Sequence, residues 1–178
     1  LPGVSAAVVT AQGTWFGQRG LRDVLTSAPM TADTIFYIGS VSKPLTATGV
    51  LALVDGGALS LDDPLATRAP GWSLGGSEEV TLAHVLTHTS GLPREGGLEY
   101  WFTGSFPTAE ALRTELGAQR LVATPGADWL YSNAAYASLG AVVSATTEGT
   151  FGAAMTQRVF EPLGMAHTGI PTAAEGAR

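Results

Sequence analysis

The chain has 178 residues, enough for one domain with a core of its own. Its net charge of −6 excludes the basic footprint that nucleic-acid binding needs, and no apolar run approaches the length of a membrane span. It contains no cysteine, which excludes disulfides and thiolate metal sites and leaves the redox compartment open.

In chain order, "VSAAVVT" (4–10) and "TWFGQR" (14–19) are β-prone runs around "AQG", a predicted hairpin. "DTIFYIGS" (33–40) is a third apolar run, expected to be extended. It leads into a helix over 40–56 with Leu45, Val50, Leu51, Leu53 and Val54 on a broad apolar face, stopped by Gly56-Gly57. Pro44 is tolerable only in a first turn, so the helix starts near Ser40. Residues 58–72 read as a loop with a short extended piece. "TLAHVLTHTSGLP" (81–93) is a predicted helix with Leu82, Val85 and Leu86 inward, ended by Ser90-Gly91 and Pro93. Residues 94–107 show no usable period. Thr108 is the predicted N-cap of a helix over 108–119, with Glu110 in its first turn. A turn-rich loop, "TPGADWLYSN" (124–133), precedes a helix at about 134–147, and "FGAAMTQRVFEPLGM" (151–165) is the last.

A hairpin with one further strand is too little sheet to stand unaided. Charged residues make up 13% of the chain and apolar ones 45%, with mean hydropathy +0.21, against about 25% charged in an ordinary soluble domain. Two readings follow: a surface rich in Gly, Ala and Thr, or the front part of a larger body whose interface is covered elsewhere. The unfinished sheet favours the second. The chain also starts at Leu1 rather than Met, so an upstream segment is expected to have been removed or left out.

Lys43 is the only lysine, three residues after Ser40, and Ser40-Val41-Ser42-Lys43 fits S-x-x-K. In that arrangement the lysine activates the serine by accepting its proton, and free N–H groups at a helix start can steady an oxyanion. Alone the motif is weak, because a capping serine followed by a solvated lysine spells the same letters. Tyr131-Ser132-Asn133 is a second element, in a loop before a helix. A tyrosine hydroxyl can relay a proton beside a serine–lysine pair, and an asparagine can orient both a substrate amide and the lysine. The rival is a Ser-Asn turn with its tyrosine packed on the core.

Together and in this order, the two motifs resemble the serine β-lactamase and penicillin-binding-protein-like superfamily. The resemblance is to its class C β-lactamase, D-alanyl-D-alanine carboxypeptidase and esterase branch. "LPGVSAAVV", "DTIFYIGSVSKPLTATGVLALVDGGALSLDDPL", "TLAHVLTHTSGLP", "PGADWLYSNAAYASLGAVV" and "FEPLGMAHTGI" all look like family segments in family order, leaving only 94–122 unremarkable. The resemblance implies an α/β fold of the α+β type: an antiparallel sheet flanked by helices with an all-helical lobe, incomplete in this chain. It places sheet and nucleophile helix in 1–60, the lobe in 61–150, and a helix leading back to the sheet in 151–178. It implies Ser40 as acylated nucleophile, Lys43 as its base partner, Tyr131 as a catalytic relay, Asn133 as a substrate-binding residue, and no cofactor or metal. It favours a periplasmic or secreted location and leaves a cytoplasmic one open.

The family's third motif, Lys- or His-x-Gly on a strand lining the site, has no secure counterpart. His167-Thr168-Gly169 spells it but directly follows "EPLGMA", where the family has a loop, so an accidental match is expected. His84 and His88, at helical i, i+4 spacing, suggest a metal pair, but Val85 stands where HExxH has its glutamate and no third ligand accompanies them. Asp62-Asp63 reads as a turn pair. Tyr100 and Trp101 suit an apolar acyl pocket and lobe packing equally. The resulting expectation is a serine hydrolase acting on an amide, ester or β-lactam carbonyl of a small-molecule or peptide substrate, completed by a C-terminal remainder of the same domain. The alternative is a non-catalytic binding module that keeps the fold.

Overall fold

A computed structural model describes residues 1–69, 71–72, 78–94 and 108–170 of the chain, which divides into two compact units, Leu1–Gly39 and Ser40–Arg178. The fold is mixed, a small antiparallel sheet and a set of helices, as the sequence led us to expect.

In the first unit, strands β1 (Gly3–Thr10) and β2 (Gly13–Asp23) pair antiparallel from Gly3 opposite Gly20 to Thr10 opposite Gly13. The Thr10 hydroxyl closes the turn, donating to the Gly13 carbonyl and accepting from Gln12 N–H. β2 runs four residues past its expected end and pairs with a two-residue β3 (Ala28–Pro29). The intervening turn is held by the Asp23 carboxylate, which accepts from Leu25 N–H at 2.8 Å and from the Thr26 hydroxyl at 2.7 Å. Those bonds hold the carboxyl of Asp23 below its ordinary range, the Thr26 hydroxyl contributing most. The expected extended run before Ser40 is not a strand. Residues 34–38 carry no ladder, and Ile35, Phe36, Tyr37 and Ile38 are all exposed. A β-prone run without a neighbouring strand has no partner for its N–H and C=O groups, so propensity alone does not make it sheet.

In the second unit, a single 3-10 turn (Gly39–Val41) leads into α1 (Ser42–Asp55), ended at Gly56 and at Gly57 with φ +73°. Pro44 falls in the first turn of α1, where its missing N–H costs nothing. The loop at 58–72 contains a one-turn helix, α2 (Leu65–Arg68), and Asp63 serves it as a turn and ion-pair residue, accepting from Ser60 N–H and pairing with Arg68 at 2.8 Å. α3 is shorter than expected. It spans Leu82–Leu86, opened by a reciprocal cap between Thr81 and His84, and the chain leaves it through His88 at φ +59°. α4 (Ala109–Gly117) starts at Thr108, whose hydroxyl accepts from Ala111 N–H. α5 (Asn133–Thr147) starts at Ser132, and α6 (Phe151–Met155) starts at Thr150 and widens into a π turn over Thr156–Phe160.

The core of this unit joins α1 (Val50, Leu53) to α5 (Leu139, Val142, Val143) and to Leu65, Leu82, Val85, Leu92 and Leu116, all nearly inaccessible. That shared core fixes where α1 and α5 begin relative to each other. Between α3 and α4 the backbone from His88 to Arg94 is a hub: Gly91 C=O accepts from Val122 N–H and Thr89 C=O from Gly126 N–H, both at 2.8 Å. Gly91 lies at φ +71°, and a Cβ there would collide with the Ala123 carbonyl oxygen. Gly91→Ala is therefore expected to destabilise the folded unit by about 1–3 kcal/mol, the range for a strained backbone site. A shift of the urea midpoint to lower concentration would register it, and an unchanged midpoint would show that the hub tolerates a side chain.

Candidate active site

The site is assembled where two helices begin. At the start of α1, Ser40 and Lys43 are one turn apart, and Lys43 Nζ donates to Ser40 Oγ at 3.4 Å. At the start of α5, Tyr131 and Asn133 flank the capping residue Ser132. The two starts meet: Ser40 Oγ and Tyr131 Oη are 2.7 Å apart, and Lys43 Nζ donates to Asn133 Oδ1 at 2.5 Å. The structure thus brings together all four residues selected from the sequence. The Ser40 hydroxyl does not cap α1, since Val41 occupies the capping position and no side chain caps there. The helix-cap reading of S-x-x-K is excluded by that geometry, and the hydroxyl is directed at Tyr131.

The electrostatics follow from what surrounds the ammonium of Lys43. It lies 4.7 Å from the centre of the Tyr131 ring and 5.7 Å from that of Tyr136, within cation–π range. The Arg94 guanidinium lies 5.1 Å from the centre of the Tyr131 ring. Burial pushes the Tyr131 phenol up, but hydrogen bonds from Lys43 and Ser40 and the charges of Lys43 and Arg94 outweigh it and leave the phenol below its ordinary value of 10.0. Tyr136 moves the other way, raised by burial and by Tyr131, and its hydroxyl donates to the Leu86 carbonyl at 2.9 Å.

The Tyr-Ser-Asn loop is bonded on both sides of Tyr131 to the segment 88–94. Leu130 N–H donates to His88 C=O at 2.7 Å, Ser132 N–H to His88 Nδ1 at 3.1 Å, and Asn133 N–H to Arg94 C=O at 2.8 Å. The buried Ser132 hydroxyl donates to Pro93 C=O at 2.6 Å and accepts from Ala135 N–H at 2.9 Å. His88, Arg94 and Tyr136 were not singled out for this site from the sequence. The signal for Tyr136 was its position one turn after Asn133, and for His88 and Arg94 their place at the two ends of "HTSGLPR".

The metal reading of His84 and His88 rested on a shared helix face, and that premise fails. α3 ends before His88, and both imidazoles accept backbone N–H groups, His84 from Thr81 and His88 from Ser132. His167-Thr168-Gly169 lies in an exposed turn after Met165 rather than on a strand. Tyr100 and Trp101 lie outside the described residues.

The family model described as Beta-lactamase matches residues 1–178. The chain belongs to that family. Esterase EstB of Burkholderia gladioli is 37% identical over an alignment that covers 95% of this chain and 47% of the relative. A Beta-lactamase of Yersinia enterocolitica is 31% identical, over 96% and 42%. Among solved structures, the Beta-lactamase/D-alanine carboxypeptidase from Yersinia pestis, complexed with citrate, superposes with a TM-score of 0.83 at 28% identity. That match covers 98% of this chain and 52% of that one. The chain spans less than half the length of these two curated relatives.

The opposed shifts of the two phenols give a direct check. A spectrophotometric titration of phenolate is expected to show one tyrosine ionising below the ordinary value and another above it. The early step should vanish in Tyr131→Phe and move up in Lys43→Met, because removing the ammonium removes both its hydrogen bond and its charge. An early step that survives Tyr131→Phe would contradict this assignment.

Proposed function

We propose that the protein is a serine hydrolase working through an acyl-enzyme, with Ser40 as nucleophile, Tyr131 as the immediate proton acceptor, and Lys43 and Asn133 as the groups that bias and orient it. The observation that carries this reading is the 2.7 Å separation of Ser40 Oγ and Tyr131 Oη beside the Lys43 ammonium. The phenol is the nearer neighbour of the serine and has a lowered pKa, while Lys43 acts as a donor to both Ser40 and Asn133. In this mechanism the Ser40 oxygen bonds to the carbonyl carbon as its proton passes to the Tyr131 phenolate. Tyr131 then returns the proton to the departing amine or alcohol as the old C–O or C–N bond breaks. Water repeats the sequence on the ester of Ser40 and frees the enzyme. Lys43 favours the phenolate at every stage by charge.

The substrate class is an amide, ester or β-lactam carbonyl, and we favour an ester or peptide. The similarity to EstB supports the ester. So does a cavity of about 830 Å³ beside Lys43 and Asn133, whose walls include Trp72, Leu112, Ala137 and Phe151 and suit an uncharged group. Within one domain we assign 1–60 to the sheet and nucleophile helix, 61–150 to the helical lobe, and 151–178 to the return towards the sheet. The partner we propose is the remainder of that domain, which would cover apolar side chains now exposed, among them Val8, Trp15, Phe16, Ile35 and Phe36. Purified native protein should then carry more chain than residues 1–178, or a second fragment bound to them. A soluble monomer of these residues alone would count against that partner.

For the chemistry, a fluorophosphonate or penicillin probe should form an adduct on Ser40 of the intact protein, located by peptide mass, and Ser40→Ala should abolish it. Tyr131→Phe should slow acylation by about 10²–10⁴-fold, the usual contribution of general acid–base catalysis. Lys43→Ala should slow it as well and shift its pH dependence to higher pH. An intact protein that takes no label, and hydrolyses an activated ester no faster than Lys43→Ala does, would be a binding module rather than an enzyme.

A further inference from the structure

His88 does more than end a helix. It lies at φ +59°, a conformation in which His, Asn and Asp are over-represented among side-chain-bearing residues. That conformation turns its ring out of α3 and into a group of aromatic rings. The ring centre is 4.5 Å from that of Tyr131 and 4.9 Å from that of Tyr136, both tilted, and 5.9 Å from the edge-on Trp129. At the same time His88 grips the backbone on both sides of Tyr131, its carbonyl accepting from Leu130 N–H and its Nδ1 from Ser132 N–H. A backbone amide can only donate, so Nδ1 must be unprotonated for the second bond to exist.

From this geometry we infer that His88 is a positioning residue, which holds Tyr131 against Ser40 and Asn133 against Lys43 by accepting the amide between them and stacking on the phenol. The inference rests on the acyl-enzyme reading for its consequence on rate, but not for its structural content. Loss of this grip frees the loop that carries both side chains, and a displacement of about 1 Å in such a group can cost about 10²-fold in rate.

The same contact makes the grip sensitive to acid. The groups facing His88 are Lys43 from α1, Tyr131 with Arg94 beyond it, and Tyr136 from α5; no carboxylate is among them in the described residues. Burial, and then the Lys43 charge, lower its pKa from 6.5. A depressed histidine binds its proton more readily in the unfolded chain. Its stabilising contribution is therefore complete above 6.5 and is lost as pH falls through the lower folded value. Protonation also places a hydrogen on Nδ1 and ends its acceptance of the Ser132 amide.

Two variants of the intact protein separate positioning from mere folding. His88→Gly keeps the positive φ without strain and removes ring and acceptor; His88→Asn also suits that φ and keeps an oxygen acceptor near the place of Nδ1. With rates normalised to titrated active sites, His88→Gly should lower kcat by about 10²-fold with little change in KM, and His88→Asn should recover most of the loss. The Tyr131 phenol should titrate closer to its ordinary value in His88→Gly, an outcome that needs no catalysis and so stays decisive even if Ser40 proves inert. In the parent, kcat should fall more steeply in weak acid than in His88→Asn, whichever way His88→Gly folds. A purely structural role would lower the number of active sites and leave kcat, the phenol titration and the acid limb as in the parent. That result, or equal losses in the two variants, would overturn the inference.

Discussion

Lys43 Nζ donating to Asn133 Oδ1, and Ser40 Oγ meeting Tyr131 Oη, join residues 90 and 91 positions apart in sequence. Such contacts are costly in chain entropy and persist only where the elements carrying them are fixed independently. Here the fixing is apolar: Val50 and Leu53 of α1 share a core with Leu139, Val142 and Val143 of α5. The core sets the two helix starts side by side, and the polar groups there need only short side-chain reach to converge. The chemistry is thus placed by hydrophobic packing a few turns away, and the site's own hydrogen bonds refine what the core has already imposed.

The charge at the centre of this arrangement is unusual in its company. Arg68 is ion-paired with Asp63, on the loop that leads to α2, whereas among the described residues Lys43 has no carboxylate beside it. Its neighbours are an amide oxygen, a hydroxyl and the faces of two phenol rings. A carboxylate would cancel much of the ammonium's field; dipoles and π faces stabilise it without cancelling it. The field therefore reaches Tyr131, where it adds to the hydrogen bonds from Lys43 and Ser40 and to the Arg94 charge, and together these outweigh the upward push of burial. Tyr136, five residues on and more buried, is raised instead. The two phenols thus diverge because one touches the cation and the serine, while burial and then the charge of Tyr131 govern the other.

The sequence made the site more legible than the elements that support it. Lys43 and Asn133 are the only lysine and asparagine of the chain, close in sequence to Ser40 and Tyr131, and the chemistry of all four is carried by side-chain identity. The hairpin and the helices beginning at Thr108 and near Asn133 were legible because their turns and caps are local. The run at 34–38 reads as a strand but carries no ladder, because strand formation depends on a partner that a β-branched run cannot specify. The helix at 81–93 was read too long because "THTSGLP" continues the polar–apolar pattern for a turn after His88 has left helical geometry. Periodicity does not register a single residue at positive φ. The i, i+4 spacing of His84 and His88 likewise presumes a helix that the chain has already left at His88, whose ring packs on Tyr131.

The site's support comes from the segment between His88 and Arg94. It offers His88 C=O, His88 Nδ1, Pro93 C=O and Arg94 C=O to four successive groups of the loop from Leu130 to Asn133. Loops that carry reacting groups are ordinarily the least stable parts of a fold. Here the Leu130, Ser132 and Asn133 N–H groups and the Ser132 hydroxyl each have an acceptor, and the far side is capped into α5 by the same buried hydroxyl. Gly91 lets the hub pass close to Ala123, so the same few residues also pin the approach to the loop. In the proposed mechanism a tyrosine oxygen that must stay within hydrogen-bond reach of a serine while a proton moves cannot be left to rotamer statistics. The hub removes the freedom that would otherwise have to be lost in each turnover, and that is a physical reason for so polar a segment to sit against the start of a helix.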